Sequence, residues 1–269
     1  MLQAVQAMTV DSDAAAAALA GPMPRLACTA DAGWQLRGPC SAASAAYFDV
    51  CKPLLDARLA HARQADAPPW VLAQLGQSMD GCVATAAGDS YFVTGAQSLL
   101  HLHRLRALCD AVLVGAGTVA IDDPQLTTRR VPGPHPVRVV LDPAARLDGR
   151  ARVFSDGQAP TLWLCDAHHA AVARARLAAA RPAVEGAAEV LAVPGLLDPA
   201  DGAHSLHPAR AVAALAERGL RLLFVEGGGV TVSRFLAADA LDHPTTRIPA
   251  RRRSRPRIFW KSPTRPTTC

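Results

Sequence analysis

The sequence predicts an α/β protein in which a mostly parallel sheet carries helices on both faces. Three observations lead there. Six short apolar runs, at 70–75, 111–114, 137–141, 161–165, 189–193 and 221–225, have strand rather than helix length. Stretches of helical spacing separate most of them, giving the strand–helix alternation of parallel sheets. The run Ala111-Val112-Leu113-Val114 is apolar at every position, the pattern of a strand covered on both sides. With 50% hydrophobic residues, the 269-residue chain has ample material for a core.

Taken in order, residues 1–68 form an alanine-rich extension with short helices expected at 13–20 and 47–65, the second on Leu54, Leu55 and Leu59, and otherwise irregular. The first core strand, 70–75, leads into a turn at 77–81, further strand character at 82–85 and a loop at 88–92. Thr94-Gly95-Ala96-Gln97 has the form of a capping box, because a Thr hydroxyl can accept from the N–H of the residue three on. It opens a helix over 95–109, whose stripe Leu99, Leu102, Leu105, Leu108 and Cys109 leaves Arg104 and Arg106 to one side. His101 and His103 are two apart and cannot share a helical face as metal ligands.

The stretch around which the chain is organised is 111–129. Gly115, Gly117 and Ala120 fit a dinucleotide fingerprint after a strand, with Asp142 at about the spacing of a ribose-binding acid. The fingerprint needs a full helix, however, and Asp122-Asp123-Pro124 stops this one after a turn. The stretch therefore reads as a strand, one short turn of helix and a long functional loop, with Asp123 the structural member of its acidic pair.

Strands at 137–141, 161–165 and 189–193 follow, with a helix over 168–181. His168, His169, His204 and His207 are expected to be loop residues. Pro208 opens a helix on Val212 and Leu215 that Gly219 closes. The strand 221–225 then meets Glu226-Gly227-Gly228-Gly229 and a helix over 230–241. Three glycines ahead of a helix expose N–H groups and the positive end of its dipole to an anion such as a pyrophosphate.

Seven cysteines, at 28, 40, 51, 82, 109, 165 and 269, form no C-x-x-C pair and have no histidine at ligand spacing. Neither a disulfide framework nor a metal site is expected, and reduced thiols in the cytoplasm are the simplest account. No apolar run is long enough for a membrane span, and Asp11 and Asp13 stand where a signal peptide would be basic. The net charge of +5 is uneven: residues 243–269 carry +8, which leaves −3 on the first 242.

Three motifs in order, Gly76-Gln77-Ser78-Met79-Asp80-Gly81, the stretch 114–129 and Val225-Glu226-Gly227-Gly228-Gly229, resemble the reductase domain of riboflavin biosynthesis, the C-terminal half of bacterial bifunctional deaminase-reductases. The resemblance covers 69–242. It implies a dihydrofolate-reductase-like three-layer sandwich. It also implies a cytoplasmic, homodimeric enzyme that uses NADPH to reduce the ribosyl group of 5-amino-6-(5-phosphoribosylamino)uracil to ribityl. Carried over residue by residue, it places Gly76, Phe92, Thr118, Asp122, Gly228, Gly229, Val230, Thr231, Val232, Ser233 and Arg234 against the cofactor. Ser90, Arg106, Leu126, Arg129 and Glu226 fall to the substrate. Asp122 is the carboxylate best suited to handle the proton that accompanies a hydride. A planar guanidinium such as Arg106 suits a phosphate, and Glu226 can accept a pyrimidine amino and ring N–H pair. The nearest alternatives are a related reductase of another heterocycle and, on fold, a βαβαβ dinucleotide-binding domain.

Family members with a deaminase carry H-x-E and P-C-x-x-C motifs ahead of this domain, and residues 1–68 have neither, so no deaminase and no metal are expected. Beyond Asp242 the resemblance stops. Residues 243–269 hold five prolines, seven arginines and Lys261, a composition expected of an out-of-frame reading and of a disordered segment. With the sheet's remaining strands replaced, an exposed edge and weak activity are expected. Salt-dependent, non-specific nucleic-acid binding through this basic segment is the reading from a different class, and it ranks below the enzyme.

Overall fold

The computed structural model describes residues 25–29, 33–64, 66–76, 96–180, 188–197 and 206–244. A hairpin of β1 (Arg25–Thr29) and β2 (Gly33–Arg37) precedes helix α1 (Ala42–Arg63). The core then runs β3 (Trp70–Gln74), α2 (Ala96–Leu108), β4 (Ala111–Gly115), α3 (Ala116–Asp122), β5 (Val137–Leu141), α4 (Arg152–Ser155) and β6 (Thr161–Asp166). It closes with α5 (Ala170–Ala180), β7 (Ala188–Val193), α6 (Pro208–Glu217), β8 (Leu222–Glu226), α7 (Gly229–Ala237) and β9 (His243–Pro244).

The sheet order is β7-β6-β5-β4-β8-β3-β9, and every pairing within it is parallel. The last strand before the glycines, β8, lies between β3 and β4, and this order excludes the βαβαβ alternative. Residues 243–244 pair with β3, so the sheet continues past Asp242.

Alternation along the strands makes three layers. Leu72, Val112, Val114, Val140, Trp163, Leu222 and Phe224 point to one face, where α1, α2 and α5 cover them with Leu54, Leu55, Leu105, Leu108 and Ala173. Val71, Leu113, Val139, Leu164, Leu223 and Val225 point to the other, under Val212 and Leu215 of α6 and Val232 and Phe235 of α7.

The extension is more ordered than expected. Helix α1 begins five residues ahead of its expected start, because the Ser41 hydroxyl caps it by accepting from Ser44 N at 3.1 Å. Asp56 of α1 accepts from Trp34 N at 3.2 Å and anchors the hairpin, while Arg58 donates to the Leu108 carbonyl at 2.7 Å and ties α1 to the end of α2. At the other end of the chain, α7 stops at Ala237 rather than 241. Asp239 turns left-handed (φ +52°) and Ala240 N returns to the Phe235 carbonyl at 2.9 Å.

The chain leaves β4 toward the α2 face, where Val119 of α3 packs, and leaves β8 toward the opposite face, where α7 packs. Neighbouring parallel strands whose connections part in this way open a crevice at their carboxyl ends.

Candidate active site

The crevice floor is made of two turns in contact. Gly115 ends β4 against Thr231 of α7, and a Cβ on that glycine would collide with the Thr231 hydroxyl. Gly228 has φ +73°, and a Cβ there would lie 2.7 Å from the Thr118 hydroxyl. Gly227 also takes a positive φ, +71°, and its N–H reaches the Gln74 carbonyl of β3 at 3.3 Å. Glycine is needed for space at 115, for conformation at 227 and for both at 228. The result is a cradle of backbone N–H groups at the start of a nine-residue helix, flanked by the hydroxyls of Thr118 and Thr231.

Arg106 and Glu226 meet beside this cradle. Arg106 Nε donates to Glu226 Oε2 at 2.6 Å, Nη2 pairs with Oε1, and Nη1 donates to the Thr127 carbonyl at 2.9 Å. The two side chains are only 6% and 13% exposed. The sequence puts Arg104 and Arg106 to one side of the leucine stripe, whereas Arg106 is buried, with Glu226 and the Thr127 carbonyl taking three of its five N–H donors. Arg104 lies 4.9 Å over the Tyr47 ring. In exchange, Leu99 is the exposed leucine of the helix, which has turned its His103 and Arg106 face inward.

The loop after α3 is fixed at several points. Asp123 takes a left-handed conformation (φ 39°), caps α3, and receives Arg152 N at 2.7 Å and Arg152 Nε at 2.9 Å, the structural role expected of it. Leu126 is also left-handed (φ 57°) and fully buried. Thr128 N donates to His135 Nδ1 and Arg129 N to His103 Nδ1, each at 3.1 Å. Burial, followed by the charges of Arg106, Arg129 and Arg130, pushes the His103 imidazole down to about 4. Burial and the neighbouring Arg106 also hold the Arg129 guanidinium below its ordinary value, while its residue remains exposed.

Of the predicted residues, Thr118, Glu226 and the 228–234 segment gather where β4 and β8 end, with Gly76 just past the end of neighbouring β3 and Asp122 closing α3 seven residues beyond β4. Arg106, Leu126 and Arg129 border them. Asp122 is the exposed last residue of α3. Val232 turns its side chain into the core, leaving Thr118, Thr231 and the glycine backbone nearer the crevice. Ser90 and Phe92 lie outside the described residues. Asp142, the acid of the rejected fingerprint, is fully buried and accepts from Leu147 N at 2.9 Å. Sequence reasoning missed Thr127, His103 and His135. The available signal was the i,i+3 spacing of His103 and Arg106, which puts both on one helical face.

The RibD C-terminal domain model matches residues 69–246. A 2,5-diamino-6-ribosylamino-4(3H)-pyrimidinone 5′-phosphate reductase from Methanothermobacter thermautotrophicus is 45% identical over 97 residues, which are 35% of this chain and 44% of that protein. The riboflavin biosynthesis protein RibD of Bacillus amyloliquefaciens is 33% identical over 175 residues, 65% of this chain and 43% of that one. The chain thus spans less than half the length of these two curated relatives. Among solved structures, a deaminase/5-amino-6-(5-phosphoribosylamino)uracil reductase from Thermotoga maritima superposes with a TM-score of 0.54 at 28% identity, covering 72% of this chain and 48% of that one. The glycine cradle, the buried Arg106–Glu226 pair and the strand order are thus features of a chain that belongs to the RibD C-terminal domain family.

Proposed function

We propose that the chain is an NADPH-dependent reductase that converts the ribosyl group of 5-amino-6-(5-phosphoribosylamino)uracil to ribityl. The observation that carries this reading is the convergence, in a member of this family, of the Gly228 cradle with the Thr118–Asp122 turn and the Arg106–Glu226 pair. The residues fit a dinucleotide. A Cβ at 228 would fill the cradle, and the helix start behind it suits a pyrophosphate. Gly76, Thr118, Asp122 and residues 228–234 would hold NADPH, which supplies a hydride for the anomeric carbon when bound.

The protein's own groups divide the remaining work. Asp122, at the end of α3, manages the proton that must reach the opening sugar ring. Glu226 reads the pyrimidine: each carboxylate oxygen has two lone pairs, Arg106 takes one on each, and the others can accept an amino and a ring N–H. The exposed guanidinium of Arg129 receives the substrate phosphate, and Arg106, which keeps two further N–H donors beyond those given to Glu226 and Thr127, borders the substrate beside it. Leu126 supplies the apolar wall beside it.

The test is NADPH oxidation with the uracil substrate and with its 2,5-diamino-pyrimidinone counterpart, side by side. The second compound is included because the relative from Methanothermobacter thermautotrophicus is named for it. Turnover of either establishes the reductase and their ratio fixes the heterocycle, whereas oxidation of NADPH with neither would remove the assignment.

A further inference from the structure

We propose that His103 and His135 are positioning residues for Arg129. As Nδ1 acceptors for the backbone N–H groups of Arg129 and Thr128, they fix the arm from which that guanidinium meets the substrate's anionic group. The inference deepens the reading above and rests on it for the identity of the anion.

Three successive residues of one loop are held by side chains, two of them from α2 and one from His135 at the far end of the same loop. The Thr127 carbonyl takes Arg106 Nη1 at 2.9 Å, Thr128 N gives its proton to His135, and Arg129 N gives its proton to His103. Fully buried Leu126 anchors the start of the segment. The Arg129 side chain leaves this clamp toward solvent.

The choice of imidazole has a chemical reason. An acceptor at position 103 faces Arg106 from its own helix and Arg129 and Arg130 from the loop, with Glu226 already committed to Arg106. A carboxylate there would accept the amide equally well, but it would also neutralise the positive field that an anion must find. A neutral imidazole with its proton on Nε2 accepts at Nδ1 and leaves the arginine charges intact. Because His103 is buried among those cations, which resist its protonation, the acceptor persists across the working pH range.

The experiment combines steady-state kinetics with amide exchange of Thr128 and Arg129 in the ligand-free protein. His103→Leu removes the acceptor, and the KM for the phosphorylated substrate should rise about tenfold or more, with kcat and the KM for NADPH within about twofold. His103→Asn, whose Oδ1 takes the place of Nδ1, should restore both KM and slow exchange. His103→Asp should keep exchange slow yet still raise the KM, because it adds the charge that imidazole avoids. His135→Leu, at an exposed position that does not endanger the core, should move KM in the same direction by about threefold. An unchanged KM in His103→Leu, or normal substrate binding by His103→Asp, would overturn the proposal. A wild-type chain that reduces neither pyrimidine removes the function but not this arrangement, which then stands or falls on whether His103→Leu speeds exchange at Arg129.

Discussion

Cutting the Arg106–Glu226 pair tests both the stability and the chemistry of the site. With side chains 6% and 13% exposed, neither charge can recover its hydration when the other is removed. Breaking such a pair from one side costs about 3–5 kcal/mol. Arg106→Met also strips the Thr127 carbonyl of its donor, which adds about 1 kcal/mol or more. A total of about 4–6 kcal/mol should lower Tm by roughly 8–24 °C for a domain of this size. Glu226→Gln keeps one hydrogen bond and should cost less, about 2 kcal/mol. The double variant Arg106→Met/Glu226→Met buries no unpaired charge and should be more stable than Arg106→Met alone. Urea unfolding of wild type, Arg106→Met, Glu226→Met and the double variant closes the cycle and gives the coupling energy directly, with at least about 2 kcal/mol expected. If the two losses add to within about 0.5 kcal/mol, the pair is not the buried, mutually dependent unit described here.

Gly228→Ala should weaken NADPH binding about tenfold or more, because it adds a methyl 2.7 Å from the Thr118 hydroxyl at a positive φ. Gly227→Ala shares the positive φ but has open space, so comparing the two by titration separates strain from collision. Asp122→Asn should lower turnover about a hundredfold or more with unfolding unchanged, and retained activity would take Asp122 out of the mechanism. His101 and His103 are both held down to about 4, chiefly by burial. Above about pH 6.5 both states are neutral and the histidines contribute nothing. Below it the unfolded chain takes up protons that the fold refuses, so each costs about 1.4 kcal/mol of stability per pH unit until about pH 4. Unfolding at pH 7 and pH 5 should therefore show a loss that His103→Asn reduces by about 2 kcal/mol.

The sheet was legible because its strands are buried on both faces and announce themselves as unbroken apolar runs, as at Ala111–Gly115 and Leu222–Glu226. The order of those strands was not, since adjacency of β8 to both β3 and β4 is a contact across more than a hundred residues. The glycine cradle could be read because Gly227 and Gly228 need left-handed backbone. The partner of Glu226 could not: Arg106 sits on a helix whose leucines define an expected inward stripe, and a buried guanidinium becomes acceptable only when a distant carboxylate and carbonyl satisfy it. The hairpin β1–β2 went unread because its short strands lie in an alanine-rich stretch and are only partly buried, so they carry little alternation.

The proposed delivery of a hydride to the anomeric carbon of a phosphoribosylaminopyrimidine is tested most directly by running the reaction with NADPH deuterated at the transferring carbon and locating the label in the product. One deuterium is expected on the ribityl carbon attached to nitrogen, and no label in the product of Asp122→Asn beyond its residual turnover. Label recovered on the pyrimidine ring, or cofactor oxidation with no label in any pyrimidine product, would contradict it.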